Sequence, residues 1–370
     1  MAAPSLDGAA ERPSHWGWVW PVAAHLALVA AALAVTLLLV GDFAASGWQQ
    51  AVSHWDSHWY LAIAQSGYPT QVGPEWAFFP LLPGLVAAVI HLGLRGVEAG
   101  LLISLLATAL LAYCLDRLGA IEVGPSRSLW VPWLLLMSPF GFFFFAIYTE
   151  ALFYALVAAA FLSARRGNFM LAGLAGALAA ATRVNGIFLV VALLLEALQQ
   201  AGWSWRRLPR QALWVLAVPC GTLGFALFSW LRTGSWLAVV KAESDFGIHA
   251  AWPWSGFWTT WNSVNGGENV WRAVFLPELI AGLLGIPILL LAAWKLRPLY
   301  SSFMILSWLA AVSLNFWRSV PRYEFAFFPL LFLVVLATER ARWLRWVLLV
   351  VGAVTMAFGA SVFARGLWLD

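Results

Sequence analysis

The chain has 370 residues, of which 62% are hydrophobic and 10% are charged, and its formal net charge is +4. A soluble globular domain carries about 25% charged residues, so this composition excludes an ordinary soluble protein. The basic residues occur in short segments between apolar runs, which membrane topology explains without a nucleic-acid partner. Cys114 and Cys220 lie in apolar runs, so neither a disulfide nor a metal framework is expected.

Several apolar runs approach or exceed the roughly 20 residues that cross a bilayer. A polar stretch, 1–17, is predicted to be a disordered tail, and the following run a retained first helix. The predicted spans are 18–40, 98–116, 128–146, 148–163, 168–182, 186–199, 211–230, 276–294, 299–316, 323–338 and 344–363. Two short ones, 168–182 and 186–199, could also form one kinked unit. We therefore expect an all-α polytopic membrane protein of about 11 spans, with a single domain at 18–363 and a short tail at 364–370.

The distribution of arginine and lysine predicts the orientation. Residues 41–94 contain no Lys or Arg, so the loop 41–97 is predicted to be extracytoplasmic and the N-terminus cytoplasmic. The later basic clusters fall on the cytoplasmic side only if 78–95 does not cross the membrane. We therefore predict a re-entrant or interfacial helix there. The same count of membrane crossings places the Trp-rich segment 231–275 on the outer side. The clusters are Arg165-Arg166, Arg206-Arg207-Arg210, Lys295-Arg297 and Arg340-Arg342-Arg345.

Five charged residues are expected at the outer ends of the spans: Asp56, Glu150, Arg183, Arg318 and Arg322. A charge at the centre of a membrane helix costs about 2.5–3.5 kcal/mol, so each charge near a span needs a reason. Arginines beside an outward carboxylate are the arrangement that a phosphate-bearing substrate requires. Simpler explanations exist. Glu150 or Asp56 could cap a helix, Arg183 could reach lipid headgroups, and the last two arginines could bind anionic lipid.

A metal site is also conceivable in the first loop. His54 and His58 stand four residues apart with Asp56 between them. On one helical turn the two histidines share a face from which Asp56 points away, so the three side chains cannot meet at one ion. We expect the two histidines instead to support the Asp56 carboxylate or to form hydrogen bonds to substrate.

Three sequence elements resemble a known family. Residues 55–68 (WDSHWYLAIAQSGY) and 78–83 (FFPLLP) resemble the first-loop signature of the GPI mannosyltransferase II (PIG-V-like) family. Residues 148–153 (YTEALF) and 182–186 (TRVNG) resemble two further elements of that family, in the same order. Beyond them the likeness is confined to Arg322-Tyr323 and a Phe-Phe-Pro at 327–329.

The resemblance implies a GT-C glycosyltransferase, a helical membrane enzyme that uses a polyprenyl-phosphate-linked sugar, here expected to be mannose. It also implies an acidic catalytic residue in the first extracytoplasmic loop. The acceptor could be a glycolipid, a glycan or a protein hydroxyl, and membrane lipid surrounds the enzyme. The composition resembles that of bacterial proteins, which implies the bacterial cytoplasmic membrane.

On this reading Asp56 is the general base of an inverting transfer, and no metal or other cofactor is required. The donor phosphate is assigned to Arg183, Arg318 and Arg322. Sugar or acceptor contacts are assigned to His54, His58, Tyr148, Glu150 and Asn185. An aromatic pocket is assigned to Trp55, Trp59, Tyr60, Phe78 and Phe79.

Two other classes of protein remain as alternatives. A transporter or flippase for a lipid-linked substrate would also carry outward arginines, but it predicts polar residues through the midplane and paired broken helices. A non-catalytic membrane scaffold would leave the surroundings of Asp56 without a purpose, and tolerance of Asp56 substitution would favour it.

Overall fold

A computed structural model describes residues 16–40, 47–266 and 269–367. Parts of four predicted segments lie outside these described residues: both terminal tails (1–17 and 364–370), the loop 41–97 and the segment 231–275. Within the described residues the chain is helical, and an isolated β-bridge pairs Ala250 with Leu314. The predicted all-α fold class is confirmed.

The α-helices follow one another with short connections. In the first half of the chain they are α1 (Val19–Val40), α2 (Gly47–Ala51), α3 (Asp56–Ser66), α4 (Leu81–His91), α5 (Gly96–Glu122), α6 (Trp130–Leu136), α7 (Thr149–Arg165) and α8 (Phe169–Ala180). In the second half they are α9 (Leu189–Gln200), α10 (Pro219–Thr233), α11 (Ala238–Asp245), α12 (Pro253–Gly266), α13 (Asn269–Lys295), α14 (Pro298–Val312), α15 (Val320–Tyr323), α16 (Leu330–Ala337) and α17 (Arg342–Ala364). Short 3-10 turns at 74–77, 141–144, 184–188, 205–207, 210–217 and 324–327 lie between them.

Helix α7 is the centre of the bundle. Nearly every side chain from Thr149 to Ala164 is buried, because α5, α8 and α9 pack around this helix. Its sequence is apolar on all faces, as expected of a helix surrounded by others. Its many alanines let the neighbouring backbones approach closely. At 1.5 Å per residue, Glu150 and Arg165 at its two ends lie roughly 22 Å apart along the axis.

The described residues include five helices that are long and apolar enough to cross a membrane, or six if a bent pair counts as one span. These helices confirm an integral membrane protein. The number of about 11 spans stays a prediction, because several helices are shorter than a full crossing. The five are Val19–Leu39, Gly96–Glu122, Arg210–Thr233, Val274–Lys295 and Arg342–Ala364, and the bent pair is Val320–Phe327 with Leu330–Ala337.

Two of the predicted spans are not continuous α-helices. The predicted span 128–146 is wrong in this respect, because α6 ends at Leu136 and a 3-10 turn follows at Gly141–Phe144. A Cβ on Gly141 would stand 2.3 Å from the Leu136 carbonyl oxygen, so the chain folds back on α6 where only glycine fits. The predicted span 323–338 bends by 68° at Pro329, the residue before α16. Proline has no backbone N–H, so the helical hydrogen bond from Pro329 to the preceding turn is missing, which accounts for this break.

The predicted helix at 78–95 is present as α4, an 11-residue helix preceded by Pro80. A helix of this length is about half of a membrane crossing. The backbone N–H of Leu81 donates to the Ala181 carbonyl oxygen at 3.1 Å, so the start of α4 is joined to the end of α8. The re-entrant or interfacial character of this helix remains a prediction.

One end of the bundle carries a network of ion pairs. Arg165 Nε lies 2.6 Å from Glu122 Oε1, and Arg165 and Arg297 both contact Glu196, at 3.3 and 3.1 Å. Gln200 Nε2 donates to Glu196 Oε1 at 2.8 Å. Because buried charges must be paired, this network accounts for the charges at the ends of α5, α7, α9 and α14. The opposite end of α7 holds Glu150 and the residues described next.

Candidate active site

The turn before α3 presents Asp56 at the opposite end of the bundle. Asp56 is the first residue of α3, and Trp55 occupies the cap position with a φ of 56°. A left-handed backbone costs a non-glycine residue about 1–2 kcal/mol, so neighbouring contacts must hold this turn. The Asp56 backbone N–H donates to Tyr148 Oη at 3.3 Å, and the Tyr148 hydroxyl donates to the His54 carbonyl oxygen at 3.4 Å. Tyr148, immediately before α7, therefore fixes the turn that carries Asp56.

A chain of alternating charges runs inward from Asp56. Its Oδ2 lies 3.3 Å from Arg322 Nη1, and Arg322 Nε lies 3.5 Å from Glu150 Oε1. The same Glu150 oxygen lies 2.6 Å from Arg183 Nη1, which also donates to Thr149 Oγ1 at 3.0 Å. The side chain of Asp56 is 30% exposed, whereas those of Arg322 and Glu150 are 10% and 2% exposed. The carboxylate of Asp56 is thus the accessible end of a buried charge network.

Aromatic rings hold both guanidinium groups. Arg322 lies 5.4 Å from the ring centre of Phe143 and 5.7 Å from those of Tyr148 and Tyr323. Arg183 lies 5.1 Å from the same Tyr323 ring. A cation over an aromatic face gains about 0.5–2 kcal/mol, more when water is excluded. The Tyr323 ring therefore supports both guanidinium groups.

The 3-10 turn after α8 positions Arg183. A Cβ on Gly186 would stand 2.3 Å from the backbone nitrogen of Ala180, so the turn at 184–188 packs directly on the end of α8. This close approach accounts for the glycine in the TRVNG element. Asn185, in the same turn, is half-buried, and Val184 is 50% exposed.

We expect Gly186→Ala to lower the thermal unfolding midpoint of the purified protein. A methyl group in this contact forces the backbone apart, and overpacking of this kind costs about 1–3 kcal/mol. Gly84→Ala in α4 is the matched control, because a Cβ there meets nothing within 4 Å. It should leave the midpoint unchanged or raise it slightly, since alanine favours a helix by about 1 kcal/mol over glycine. Equal midpoints for the two variants would contradict the packing argument.

Part of the predicted aromatic pocket comes together beside Asp56. The Trp59 and Phe78 rings stack at 5.8 Å, and Tyr60 meets Phe78 edge-on at 5.1 Å. Trp55 is 41% exposed. Phe79 points the other way and packs on Phe225 at 4.9 Å, in a separate cluster with Tyr68 and Trp76.

The two histidines lie apart. The His54 ring packs on Phe363, and its Nε2 lies 3.3 Å from the Ala364 carbonyl oxygen at the end of α17. His58 is exposed beside Trp59. The described residues contain no group of three His, Cys, Asp or Glu side chains placed to hold a metal ion.

Helix α11 contributes residues that the sequence analysis did not single out. Phe246, just after this helix, meets Trp59 at 6.0 Å and Phe78 at 6.3 Å. Glu243 on the same helix acts electrostatically on Asp56, and burial together with the Asp56 charge raises the pKa of Glu243. The high Trp content of the segment 231–275 predicts only an interfacial loop. Its Lys241-Ala242-Glu243-Ser244-Asp245 stretch was the available signal for a helix there.

The surroundings of Asp56 also set its protonation. Burial raises the pKa of the Asp56 carboxyl above its ordinary value, and the Arg322 charge opposes that effect. Glu150 raises the pKa further, whereas Arg183 and Arg318 lower it. A carboxylate whose pKa is raised toward the working pH is a stronger base, which suits proton abstraction.

Comparison with known proteins is consistent with this arrangement. The structure of ArnT from Cupriavidus metallidurans bound to undecaprenyl phosphate has a similar fold. The two structures align with a TM-score of 0.54 and a sequence identity of 17%. The alignment covers 92% of this chain and 63% of the ArnT chain. At this identity the likeness establishes the fold alone. The predicted GT-C-like fold of a helical membrane protein is therefore confirmed.

Residues 21–229 match the family model described as mannosyltransferase (PIG-V), so the chain belongs to that family. It is similar to GPI alpha-1,6-mannosyltransferase 2 of Cricetulus griseus, Mus musculus and Homo sapiens. The identities are 33%, 35% and 31% over 147 residues, which cover 37% of this chain and 29% of each relative. The match therefore spans less than a third of the length of these relatives. The predicted family is confirmed.

Proposed function

We propose that this protein is a membrane glycosyltransferase that moves mannose from a polyprenyl-phosphate-mannose donor to an acceptor hydroxyl on the extracytoplasmic face. The observation that carries the proposal is the buried chain of charges that joins the first-loop Asp56 to Arg322, Glu150 and Arg183. Membership of a mannosyltransferase family supports the reaction class. A polyprenyl-linked donor is supported by the fold neighbour, which was solved with undecaprenyl phosphate.

The proposed chemistry is one displacement with inversion. Asp56 accepts the proton of the acceptor hydroxyl while that oxygen bonds to the anomeric carbon. The bond from this carbon to the phosphate oxygen breaks at the opposite face, and polyprenyl phosphate leaves with the electron pair. Arg322, Arg183 and Arg318 stabilise the charge that develops on the phosphate. No metal or other cofactor takes part in this scheme.

The remaining side chains are assigned to the sugar and the acceptor. Glu150 Oε2 is buried and has no hydrogen-bond partner among the described residues, so it is a candidate acceptor for a sugar hydroxyl. Tyr148, Asn185, His54 and His58 remain assigned to sugar or acceptor contacts. Trp59, Tyr60 and Phe78, joined by Phe246, form the aromatic wall. Trp55 is exposed, and Phe79 packs in the separate buried cluster with Phe225.

The proposed orientation places Asp56 outside and the N-terminus in the cytoplasm of a bacterial cell. The basic residues at the end of α7 opposite Asp56 support it: Arg166 follows Arg165 there, and Lys295 lies two residues before Arg297, which contacts Glu196. Cytoplasmic ends of membrane helices are enriched in Lys and Arg.

The test is transfer of radiolabelled mannose in membranes that contain or lack the protein. Labelled polyprenyl-phosphate-mannose is supplied as the donor, and soluble GDP-mannose is the comparison donor. We expect label in glycolipid, glycan or protein only with the lipid-linked donor and only with the protein present. Movement of intact donor across the membrane without transfer would replace the proposal by a flippase. Absence of both activities with polyprenyl-phosphate-linked mannose, glucose, galactose and arabinose would refute the proposed class.

The pH dependence of transfer follows from the electrostatics of Asp56. Because burial raises its pKa, the base form is lost at a higher pH than for an ordinary aspartate, whose pKa is about 3.9. We expect kcat/KM to fall as the pH decreases through the raised pKa, with a slope of about one proton. The profile is measured with donor well below its KM, at constant ionic strength. A rate that stays constant down to pH 4 would contradict the assignment of Asp56 as base.

A further inference from the structure

The segment between α14 and α15 carries Arg318 and leads into Arg322, and it is held by α12 and α13. The Trp317 backbone N–H donates to Thr260 Oγ1 at 2.8 Å, and its indole N–H donates to the Val312 carbonyl oxygen at 3.0 Å. A Cβ on Gly256 or on Gly282 would stand 2.9 or 2.4 Å from the Trp317 ring. The indole therefore fills the space that two glycines leave, which fixes the segment against both helices.

A buried carboxylate holds the next two residues. Glu278 of α13 is 1% exposed, and its Oε1 and Oε2 accept the backbone N–H groups of Ser319 and Val320 at 2.8 and 2.7 Å. Ser319 has a φ of 57°, a left-handed conformation that is unfavourable for serine. A carboxylate in an apolar helix is expensive and requires a compensating role. Here it accepts from two backbone N–H groups at the start of α15, where the helix itself supplies no acceptor.

The turn held in this way determines the position of Arg322. Arg322 lies only three positions after Ser319, and α15 is a four-residue helix, so any shift of the Ser319-Val320 backbone moves the guanidinium. Arg322 must reach Asp56 and Glu150 at 3.3 and 3.5 Å at the same time. A bifurcated contact of this kind depends on placement within about 0.5 Å.

We propose that Glu278 is a positioning residue: its carboxylate fixes the backbone of Ser319 and Val320 and thereby places Arg322 between Asp56 and Glu150. The effect of this positioning on catalysis rests on the proposed function. Glu278 is not itself a catalytic residue, because its carboxylate is occupied by the backbone of the turn.

The experiment compares Glu278→Gln, Glu278→Ala and the control Glu339→Gln in purified protein. Glutamine keeps one acceptor oxygen and alanine keeps none, so the effects should be graded. Glu339 is paired with Arg127 near the opposite end of the bundle and should have no effect. We expect Glu278→Gln to raise the donor KM about tenfold and to leave the acceptor KM within about twofold. Glu278→Ala should have the larger effect. Unchanged donor KM in folded Glu278→Ala would overturn the proposal.

A double-mutant cycle separates positioning from general destabilisation. If Glu278 acts through Arg322, Glu278→Gln should change the donor KM less than about twofold in an Arg322→Lys background. Equal factors in both backgrounds would overturn the proposal. If Glu278→Gln does not accumulate, Glu278→Asp, which retains the charge, replaces it in the double-mutant cycle. A smaller change of donor KM in the Arg322→Lys background would again support the proposal, and equal factors would overturn it.

A binding measurement tests the positioning role of Glu278 separately from the proposed transfer activity. Retention of undecaprenyl phosphate by the purified protein is measured by native mass spectrometry, which requires no transfer. Loss of retention in Glu278→Gln and Arg322→Lys, but not in Glu339→Gln, would support the positioning role even if no mannose is transferred. Wild-type levels of retention in both Glu278→Gln and Glu278→Ala would overturn it, whatever the transfer assay gives.

Discussion

Asp56→Asn is expected to reduce the rate of mannose transfer by about 10²–10⁴-fold, the usual contribution of a positioned general base. Asparagine has nearly the same shape and keeps the backbone bond to Tyr148, but it cannot accept the proton of an attacking hydroxyl. The loss should appear in kcat. Donor binding should remain, because the arginines that are assigned to the phosphate are unchanged. The measurement is steady-state transfer at matched protein abundance, with undecaprenyl phosphate retention as the binding readout.

Asp245→Asn is the matched control for this substitution. Asp245 is an exposed aspartate at the end of α11, on the same side of the bundle as Asp56. Its replacement makes the same change of charge and should leave kcat within about twofold. Comparable kcat values for Asp56→Asn and wild type would remove Asp56 as the base. They would also favour a scaffold or transport role.

The sequence predicted the ends of the bundle better than its interior. Charged residues that interrupt apolar runs are costly, and this physical rule selected Glu150 and Arg183. Arg322 was selected because it lies on the predicted outer side, against the positive-inside trend. The structure brings all three together with Asp56. Their partners could not be paired from the sequence, because Asp56 and Arg322 are 266 positions apart and their contact depends on how the helices pack.

The errors have local causes. The run from Leu129 to Leu162 is apolar almost throughout, so hydropathy gave no sign that α6 ends at Leu136. Pro139 and Gly141 were the available signals for a break. Glu278 was also missed, although it is an acidic residue near the start of a predicted span and the same cost argument applies to it. The direction in which Phe79 points could not be predicted, because neighbouring positions in an irregular turn have no fixed periodicity.

The geometry also explains why one network contains equal numbers of acidic and basic groups. Asp56 and Glu150 balance Arg322 and Arg183, so the site is buried without a net charge before any donor arrives. A phosphate that enters must compete with these carboxylates for the two guanidinium groups. Arg318, which acts electrostatically on Asp56 and on Glu243, supplies further positive charge at the same site. Donor binding and the strength of the base are thus coupled through the same arginines.

Arg322→Gln is expected to weaken donor binding, to lower the stability of the protein and to change the pH dependence of kcat/KM. Its effect should be second only to that of Asp56→Asn. Loss of a charge-assisted contact to phosphate costs about 1.5–3 kcal/mol, or roughly 10- to 100-fold in donor KM. Removal of one partner of a buried ion pair costs about 3–5 kcal/mol, so the thermal unfolding midpoint should also fall. Because the Arg322 charge lowers the pKa of Asp56, its removal should shift the acid limb of kcat/KM to higher pH.

Two further variants make this prediction specific. Arg322→Lys keeps the charge, but an ammonium group cannot reproduce the planar fork that contacts Asp56 and Glu150 together. Its acid limb should therefore lie between those of wild type and Arg322→Gln, while its donor KM should still rise. Arg232→Gln is the control, because Arg232 is exposed and donates to the Tyr68 carbonyl oxygen, outside the charge network. An acid limb in Arg322→Gln that coincides with that of wild type would show that this arginine does not set the strength of the base. A donor KM in Arg322→Gln equal to that of wild type would leave the phosphate to Arg183 and Arg318.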